Sequence, residues 1–401
     1  MQQIVGIAVK RRRALLAGVV LAGAVAFAPP AFAADTSPIK VGWISSLTGP
    51  LSSAALAENQ GVKFAIDEIN KAGGINGRPL ELLTRDTGGD PTKAVNFANQ
   101  LVHSDKVAFI IGPVNSGESL ATIPIVAKAG VPNIVIAAVD ELTNPAKYPR
   151  AFRVINTSEQ WIRTANHYAL DVLKHRKVAI IGDTTGYGTD SAKKAAKLLE
   201  AAGAKPVYSV LVDPNKTSLS DEMEKARAAG ADVVMPWSAA TGLLARILNT
   251  RGDMQWDVPV VGHPSLMALP IRNLLNKPTY WENTYSAGYV STTYGADGKL
   301  PERTQKLMDA IRPSLGGKIE FTFWWVALGY DSVKVIEHAV KKAGSTDPKA
   351  IQAALESTRD LKGVYGDYGW GPQDRNGFPD AGMVVNKANT FKEGSFERAP
   401  Q

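Results

Sequence analysis

The strongest indication of the fold class comes from Lys177-Val-Ala-Ile-Ile-Gly182 and its counterpart in the first half of the chain, Val107-Ala-Phe-Ile-Ile-Gly112. Both are nearly continuous apolar runs rather than alternating ones, as expected for strands that helices cover on both faces. Each run ends in glycine. In open parallel sheets, ligands bind in the crevice beyond the carboxyl ends of the strands. The loops that begin at Gly112 and Gly182 are therefore the first candidates for a functional site.

Around these two runs, short β-rich segments alternate with amphipathic helical patterns, which predicts parallel sheets covered by helices. The predicted strands of the first half are 40–44, 80–85, 107–111 and 133–136, and its predicted helices are 57–70, 92–103 and 119–129. After Phe152-Arg153-Val154 the rhythm restarts, with strands at 177–181, 207–212, 232–235 and 258–261, and helices at 160–173, 191–202, 221–229 and 242–250. The chain therefore contains two similar α/β units.

The last third of the chain is less regular. It combines a strand pattern at 284–290, helical patterns at 302–312, 322–342 and 348–356, the Gly/aromatic stretch 363–371, and a final strand at 383–386. Such a tail can cross back between the two units.

Composition excludes several classes of protein. The chain has 401 residues, 45% of them hydrophobic and 21% charged, and it has no Cys. These values exclude a disordered tail protein, a collagen-like fibre, a disulfide-stapled miniprotein and a Cys-ligated metal protein. Two domains are expected, because single hydrophobic cores stop growing near about 250–300 residues.

The N-terminus has the pattern of a secretory signal peptide. Four basic residues at 10–13 precede the uncharged apolar stretch 14–27, and Ala31-Phe32-Ala33 is a small-x-small cleavage motif. The apolar stretch is shorter than the roughly 20 residues that a membrane span needs. We therefore predict that residues 1–33 direct export to the periplasm and are removed. Sec export is expected, although Arg12-Arg13-Ala14-Leu15-Leu16 also resembles a twin-arginine core without the preceding Ser or Thr, so that route stays open.

Removal of residues 1–33 lowers the net charge from +7 to +3, since that segment holds four positive charges and no negative ones. The basicity therefore gives no reason to expect a nucleic-acid partner. No Cys stands at the cleavage site to carry a lipid, and no later stretch resembles a membrane span. We expect a mature chain that is not inserted in the membrane.

Motifs for catalysis and cofactor binding are absent from the sequence. Its five His form no HExxH pair, and without Cys a transition-metal site is not expected. There is no GxxxxGK[ST] loop, and the turn after the first strand is Ser45-Ser-Leu-Thr-Gly-Pro50 rather than GxGxxG. We therefore predict no enzyme activity, no metal and no cofactor.

Several residues at predicted strand ends are suited to binding a small anion. Asn115 and Ser116 lie between a buried-type strand and a helix, where Ser116 can act as N-cap and leave its hydroxyl and backbone N–H groups facing an anion. Ala137 and Ala138 follow the next strand, and their small side chains allow the main chain to approach a ligand. A capping serine without a ligand explains Ser116 equally well.

In the second unit, the equivalent strand ends carry Tyr187 and Trp237-Ser238. The two aromatic rings offer large rigid faces with one polar atom each, which is a common pocket lining. Packing at a strand end is the alternative for both rings.

Five segments together resemble a known family. They are Ile39-Lys-Val-Gly-Trp-Ile-Ser-Ser-Leu-Thr-Gly-Pro50, Gly61-Val-Lys-Phe-Ala-Ile-Asp-Glu-Ile-Asn70 with Gly73-Gly-Ile-Asn-Gly77, Asp90-Pro91, Phe109-Ile-Ile-Gly-Pro113, and 183–188. In this order and spacing they resemble the periplasmic leucine/isoleucine/valine-binding proteins, the type I solute-binding proteins of branched-chain amino-acid ABC importers. The resemblance extends from about residue 39 to 365.

The resemblance implies an α/β protein of two similar doubly wound parallel-sheet lobes, joined by three crossovers, with a ligand cleft between them. The family pattern assigns 34–155 and 288–362 to lobe 1, and 156–287 and 363–401 to lobe 2. It implies a small-molecule ligand and membrane permease subunits as partners, and we expect a monomer.

The resemblance also implies a role for the candidate residues. Ser116 should receive a ligand carboxylate, helped by backbone N–H groups near Ala138 and Val139. Tyr187 and the Trp237-Ser238 loop should close over the ligand from lobe 2.

Two departures from the family pattern affect recognition of an α-ammonium group. Val139 stands where amino-acid-binding members commonly have a Thr or Ser hydroxyl, and the loop around Ser265 lacks their acidic residue. Asp140 or Glu141 could compensate. We therefore favour a hydrophobic or aromatic carboxylate, with a branched-chain or aromatic amino acid as the alternative. A periplasmic sensor domain for a receptor kinase is the second function considered, and an exported enzyme the third.

Overall fold

The computed structural model describes residues 35–401, and Thr36–Gln401 form one compact unit. The strands are β1 (Ile39–Ser45), β2 (Leu80–Asp86), β3 (Phe109–Ile111), β4 (Asn133–Val135), β5 (Ala151–Arg153), β6 (Val178–Asp183), β7 (Tyr208–Val212), β8 (Val233–Trp237), β9 (Val260–Gly262), β10 (Thr284–Tyr289), β11 (Thr293–Tyr294), β12 (Leu361–Lys362), β13 (Asp367–Tyr368), β14 (Met383–Lys387) and β15 (Phe396–Glu397). The helices are α1 (Ser52–Lys71), α2 (Pro91–Asn99), α3 (Ser116–Ala129), α4 (Ser158–His167), α5 (Gly186–Ala201), α6 (Ser220–Ala228), α7 (Thr241–Asp253), α8 (Leu269–Leu274), α9 (Glu302–Ile311), α10 (Phe323–Ala343) and α11 (Pro348–Glu356).

Two sheets organise the chain. The first has the strand order β2-β1-β3-β4-β5, with all neighbours parallel. The second has the order β14-β10-β9-β8-β6-β7 and is parallel except for β14, which pairs antiparallel with β10. An antiparallel strand at the edge of an otherwise parallel sheet is common in doubly wound folds. The predicted fold class, with two parallel-sheet lobes, is confirmed.

Helices cover both faces of each sheet, as the two apolar runs predicted. In β6, Ile180 packs with the cluster that contains Leu199 of α5, whereas Ile181 packs on the opposite face with the cluster that contains Leu244 of α7. Successive side chains of a strand point to opposite faces, so a strand buried twice must be apolar throughout. The apolar run within 177–181 therefore indicates a strand that is covered by helices on both faces of the sheet.

Helices α1 and α10 approach each other so closely that only glycine fits at their contact. A Cβ atom on Gly61 would lie 1.9 Å from the carbonyl oxygen of Val326, and one on Gly329 would lie 2.1 Å from that of Glu58. This contact fixes α10 against the first lobe. It thereby fixes Trp325, which lies near the start of α10.

The segment that returns through 363–368 is tied to α10 by a buried carboxylate. Asp331 accepts hydrogen bonds from the backbone N–H groups of Val364 (2.9 Å) and Tyr365 (2.8 Å) and from the hydroxyl of Tyr368 (2.8 Å). Burial raises the pKa of Asp331 to about 6.

The predicted lobe boundaries at residues 155, 288 and 362 stay a prediction.

Element boundaries differ from the sequence-based expectation mainly where polar or glycine residues begin a helix. Helix α5 begins at Gly186 rather than at 191, because Thr185 caps it by accepting a hydrogen bond from the N–H of Gly188. Strand β6 also continues past Gly182 to Asp183. The short strands β5, β11, β12, β13 and β15 and the short helix α8 were not predicted, since so few residues leave no clear periodic pattern.

The predicted signal peptide 1–33 lies outside the described residues. Among residues 35–401, no helix is both long enough and apolar enough to cross a bilayer.

Candidate functional site

A cavity of about 300 Å³ lies where the carboxyl ends of both sheets face each other. Its lining comes from the segments that follow β1 to β5 in the first lobe and β6, β7 and β8 in the second, with one Trp each from α4 and α10. This is the crevice in which open α/β sheets bind ligands. Larger grooves lie elsewhere on the surface, such as one of about 870 Å³ beside Tyr294, but they do not lie at these strand ends.

The N-terminus of α3 opens onto this cavity. Asn115 is the N-cap, and its side-chain oxygen accepts a hydrogen bond of 2.8 Å from the N–H of Gly117. Ser116 is the first helical residue rather than the cap, which corrects the expectation that its hydroxyl would cap the helix. Within residues 35–401, the Ser116 hydroxyl has no hydrogen-bond partner, although the residue is only 3% exposed. It is therefore available to a ligand.

The N-terminus of α5 faces the same cavity but already holds a carboxylate. Asp183, at the end of β6, accepts hydrogen bonds from the backbone N–H of Thr185 (2.9 Å) and from the Thr185 hydroxyl. Its second oxygen accepts a hydrogen bond of 2.5 Å from the Ser238 hydroxyl. A negative group at a helix N-terminus offsets the positive end of the helix dipole. The α5 tip is thus compensated from within the chain.

The tip of α3, in contrast, has only neutral groups facing the cavity. Glu118, in its first turn, is fully buried behind the tip and accepts a hydrogen bond of 2.9 Å from the Ser46 hydroxyl. Burial raises the pKa of Glu118, which favours its neutral form. Helix N-termini attract anions through free N–H groups and the dipole. Of the two tips, α3 is therefore the one at which an external anion is expected.

Aromatic rings form one wall of the cavity. Trp161 of α4 and Tyr187 of α5 both line it and meet edge to face, with ring centroids 5.9 Å apart. The imidazole of His263 packs behind them, with centroids 4.8 Å from Trp161 and 5.0 Å from Tyr187. Burial lowers the pKa of His263 to about 3, so this ring is neutral at physiological pH. The wall is therefore apolar and uncharged.

A buried guanidinium shapes the loop that carries Ala137 and Ala138. Arg153, at the end of β5, donates to the carbonyl oxygens of Ala137 and Val139 (2.6 Å to the latter) and to the hydroxyl of Thr143 (3.0 Å). These carbonyls point toward Arg153, and within residues 35–401 the N–H groups of Ala138 and Val139 have no acceptor. Burial lowers the pKa of Arg153 to about 10, which keeps it charged at neutral pH.

The structure brings five of the nine predicted binding residues to the cavity and leaves four outside its lining. Asn115, Ser116, Ala137, Ala138 and Tyr187 line it. The other four, Val139, Trp237, Ser238 and Ser265, are buried behind it.

Each of those four contributes indirectly or packs in the core. Ser238 holds Asp183, and the N–H of Ser265 donates to Nδ1 of His263 (3.1 Å), so both support residues at or near the wall. Trp237 is completely buried, because the last residue of β8 points into the core. Ala239 and Ala240 line the cavity in its place.

Asp140 and Glu141, which were considered from the sequence as partners for an α-ammonium group, are paired with lysines. Asp140 forms an ion pair with Lys194, and Glu141 pairs with Lys147 at 2.6 Å. Neither carboxylate lines the cavity. The acidic residue that does line it is Asp183, which sequence reasoning placed at a strand end but did not assign to the site.

Two tryptophans of the lining were also missed. Trp161 and Trp325 lie on amphipathic helices, where an apolar ring fits a core position equally well. Both rings of the double aromatic Trp324-Trp325 are buried in the same core cluster, so the sequence alone does not tell which of them reaches the cavity. The structure stacks these rings, with centroids 3.6 Å apart, and only Trp325 reaches the cavity.

Comparisons with known proteins identify the family and the fold. A family model described as "Periplasmic binding protein" matches residues 38–392. A Leu/Ile/Val-binding protein homologue of Brucella melitensis is 29% identical over 357 residues, covering 88% of this chain and 91% of that protein.

Two solved structures share the fold. The branched-chain amino acid transporter substrate-binding protein LivJ from Streptococcus pneumoniae, in complex with isoleucine, has a TM-score of 0.77 at 24% identity, covering 90% of this chain and 97% of its own. A solute-binding protein of an ABC transporter from Rhodopseudomonas palustris HaA2, in complex with p-hydroxybenzoic acid, has a TM-score of 0.75 at 21% identity, covering 91% and 96%.

Replacement of Arg153 by Lys should destabilise the protein by about 3 kcal/mol, since a lysine cannot serve several buried acceptors at once. The free energy of unfolding from urea titration measures this loss. Arg163→Lys is the matched control, because Arg163 pairs with Asp380 at the surface with half of its side chain exposed, and it should cost less than about 0.5 kcal/mol. Equal losses in both variants would contradict the role given to Arg153.

Proposed function

Because this chain belongs to the periplasmic binding protein family, we propose that it is the solute-binding component of an ABC importer and captures a small hydrophobic or aromatic carboxylate between its lobes. The contrast between the two helix tips carries this proposal. The α5 tip holds Asp183 at the cavity, whereas at the α3 tip the cavity is lined by the uncharged Asn115 and Ser116, and the carboxyl of Glu118 in the first turn does not line it. A ligand carboxylate would supply a negative group on the cavity side of α3.

The rest of the cavity suits an apolar body. Apart from Asp183 and the phenol of Tyr187, its lining has no ionisable side chain, and Trp161, Tyr187 and Trp325 supply aromatic faces. Burial raises the pKa of Tyr187, so the phenol stays neutral. The solute-binding protein bound to p-hydroxybenzoic acid gives a precedent in this fold for such a ligand.

A branched-chain or aromatic amino acid is the second candidate ligand, and Asp183 is the observation that favours it. An α-ammonium could donate to this carboxylate, and the isoleucine-bound neighbour gives the precedent. However, Asp183 already accepts hydrogen bonds from Thr185 and from Ser238. Asp183 can therefore accept fewer hydrogen bonds from a ligand ammonium group. We favour a carboxylate ligand that has no α-ammonium group.

Closure of the lobes around the ligand is supported by contact between the two helix tips. A Cβ atom on Gly186, the first residue of α5, would lie 3.0 Å from Cα and 3.2 Å from N of Gly117 in α3. A side chain at Gly186 would therefore press against Gly117, and the absence of one lets the two tips approach closely. A ligand that touches both lobes favours this arrangement by its additional contacts.

The proposed partner is the permease of the importer, which receives the ligand-loaded closed form, and the proposed location is the periplasm after removal of residues 1–33. A sensor domain presenting the same ligand to a receptor kinase is the alternative. Pull-down of the closed form with the permease subunits separates the two functions.

Thermal melting with a panel of compounds tests the ligand class. At about 100 times the dissociation constant, a ligand should stabilise the protein by about 2.7 kcal/mol. The pair 3-phenylpropionate and phenylalanine differs only in the α-ammonium, and we expect the larger shift from 3-phenylpropionate. A larger shift from phenylalanine would favour the amino-acid alternative. Absence of a shift with all aromatic acids, branched-chain acids and their amino acids would contradict solute binding.

The substitution Ser116→Ala should weaken binding of the best panel ligand by about 1–3 kcal/mol, because a hydrogen bond to a charged carboxylate is lost. Isothermal titration calorimetry measures the dissociation constant. Ser220→Ala is the matched control, since Ser220 also begins a helix, α6, but lies outside the cavity lining. An unchanged dissociation constant for Ser116→Ala would remove this residue from the site.

The substitution Gly186→Ala should weaken ligand binding while leaving the unfolding midpoint of the ligand-free protein nearly unchanged, since the new methyl group opposes contact of the tips. Gly242→Ala in the first turn of α7 is the control, because its Cβ would meet only the flexible end of Arg246, at 3.2 Å. Calorimetry and ligand-free melting are both required. Wild-type affinity in Gly186→Ala would show that binding does not need this contact.

A further inference from the structure

The side chain of Asn156 joins the segments that connect the two lobes. Its oxygen accepts two hydrogen bonds, one from the hydroxyl of Tyr289 (3.0 Å) and one from the hydroxyl of Tyr365 (2.9 Å). Asn156 lies just after β5, Tyr289 ends β10, and Tyr365 lies between β12 and β13. The three residues lie at the three places where the predicted lobe boundaries have the chain pass between lobes, and Asn156 is completely buried.

Only one of these tyrosines also contacts the wall of the ligand cavity. The indole N–H of Trp161 donates to the hydroxyl of Tyr289 at 2.8 Å, and Trp161 lines the cavity. Tyr289 itself does not line it. A continuous chain of hydrogen bonds therefore runs from Trp161 through Tyr289 to Asn156.

The surroundings of Tyr289 prevent water from replacing its hydroxyl. The residue is completely buried, and its ring packs against Tyr365, Trp324 and Phe378 with centroid distances of 4.6, 4.9 and 5.7 Å. Removal of the hydroxyl would leave the indole N–H of Trp161 buried without an acceptor. Such a group is costly, and a side chain that can move to relieve it will do so.

We propose that Tyr289 is a positioning residue for ligand binding: held by Asn156, it fixes the orientation of the Trp161 ring and so links the shape of the cavity wall to the connections between the lobes. The indole has a single N–H, so one acceptor defines which edge of the ring faces Tyr289 and which face remains for the ligand. Because Asn156 also accepts from Tyr365, the acceptor is itself fixed by two connecting segments. The orientation of the Trp161 ring in the cavity wall therefore depends on how the connecting segments are positioned when the lobes are closed.

Tyr365 provides a matched control within the same cluster. It donates to the same oxygen of Asn156, is completely buried, and lies against Tyr289 and Phe378. It has no hydrogen bond to Trp161. The substitutions Tyr289→Phe and Tyr365→Phe therefore each remove one buried hydroxyl group that donates to Asn156. Only Tyr289→Phe also deprives the indole N–H of Trp161 of its acceptor.

The first test needs no ligand. Hydrogen exchange of the Trp161 indole N–H, assigned by its loss in Trp161→Phe, is followed by NMR in protein labelled with ¹⁵N-tryptophan. The proposal expects exchange to accelerate by about tenfold or more in Tyr289→Phe and to stay near the wild-type rate in Tyr365→Phe. Unchanged exchange in Tyr289→Phe, or equal acceleration in both variants, would overturn it.

The second test measures binding of 3-phenylpropionate and of phenylalanine by calorimetry, and this arm rests on the proposed function. Tyr289→Phe should weaken the binding of whichever compound binds the wild type by about tenfold, and Tyr365→Phe by less than about threefold. Equal weakening would overturn the positioning role, because it would show a general effect on the lobe connections. If neither compound binds the wild type, the proposed ligand class fails while the exchange measurement still decides the proposal.

A double substitution keeps the proposal testable if Tyr289→Phe does not fold. In the Trp161→Phe background no indole N–H needs an acceptor, so adding Tyr289→Phe should change neither the melting temperature nor the affinity beyond what Tyr365→Phe changes in that background. A larger loss from Tyr289→Phe there would show that the residue acts independently of Trp161 and would overturn the proposal.

Discussion

The two lobes face each other with helix N-termini, and the positive ends of α3 and α5 must both be balanced where they meet. At α5 the chain supplies Asp183, held by Thr185 and Ser238. At α3 the cap is the neutral amide of Asn115, and the nearby carboxyl of Glu118 is buried behind the tip. Two positive helix ends repel each other in an apolar cavity. A negative group bound beside the α3 tip, on the cavity side, reduces this repulsion. The account of ligand capture depends on this imbalance.

Buried polar side chains give the cavity its shape. Arg153 holds the loop of Ala137 and Ala138 through its carbonyls and donates to Asn376 at 2.8 Å, which ties that loop to the returning segment. Asp331 fixes the same returning segment on α10. Because these groups are buried with several partners each, they impose one geometry on loops that would otherwise be mobile. The ligand therefore meets a largely preformed wall.

The fold could be predicted from the sequence because its strongest signals are local. The run at 107–111 is apolar at every position and the run at 177–181 at every position after Lys177, and this pattern indicates a sheet covered by helices on both faces. The binding loops were located for the same reason, since Ser116 and Tyr187 directly follow such strands. Trp161, Trp325 and Arg153 were missed because their roles depend on contacts across more than a hundred residues or on which face of a helix points to the gap. Ser116 was placed in the right loop but at the wrong position of the cap, because Asn115 and Ser116 are both good capping residues.

From the sequence, Val139 and the loop around Ser265 were interpreted as departures that weaken an ammonium site, and this stays a prediction; Asp183, the carboxylate in the cavity lining, accepts hydrogen bonds from Thr185 and Ser238. A crystal structure of the protein with the compound that stabilises it most would show whether a carboxylate binds at the α3 tip. We expect electron density for that compound in the cavity, with its carboxylate within hydrogen-bond distance of the Ser116 hydroxyl and the N–H groups of α3. A carboxylate bound at the α5 tip, or a ligand bound outside this cavity, would contradict it.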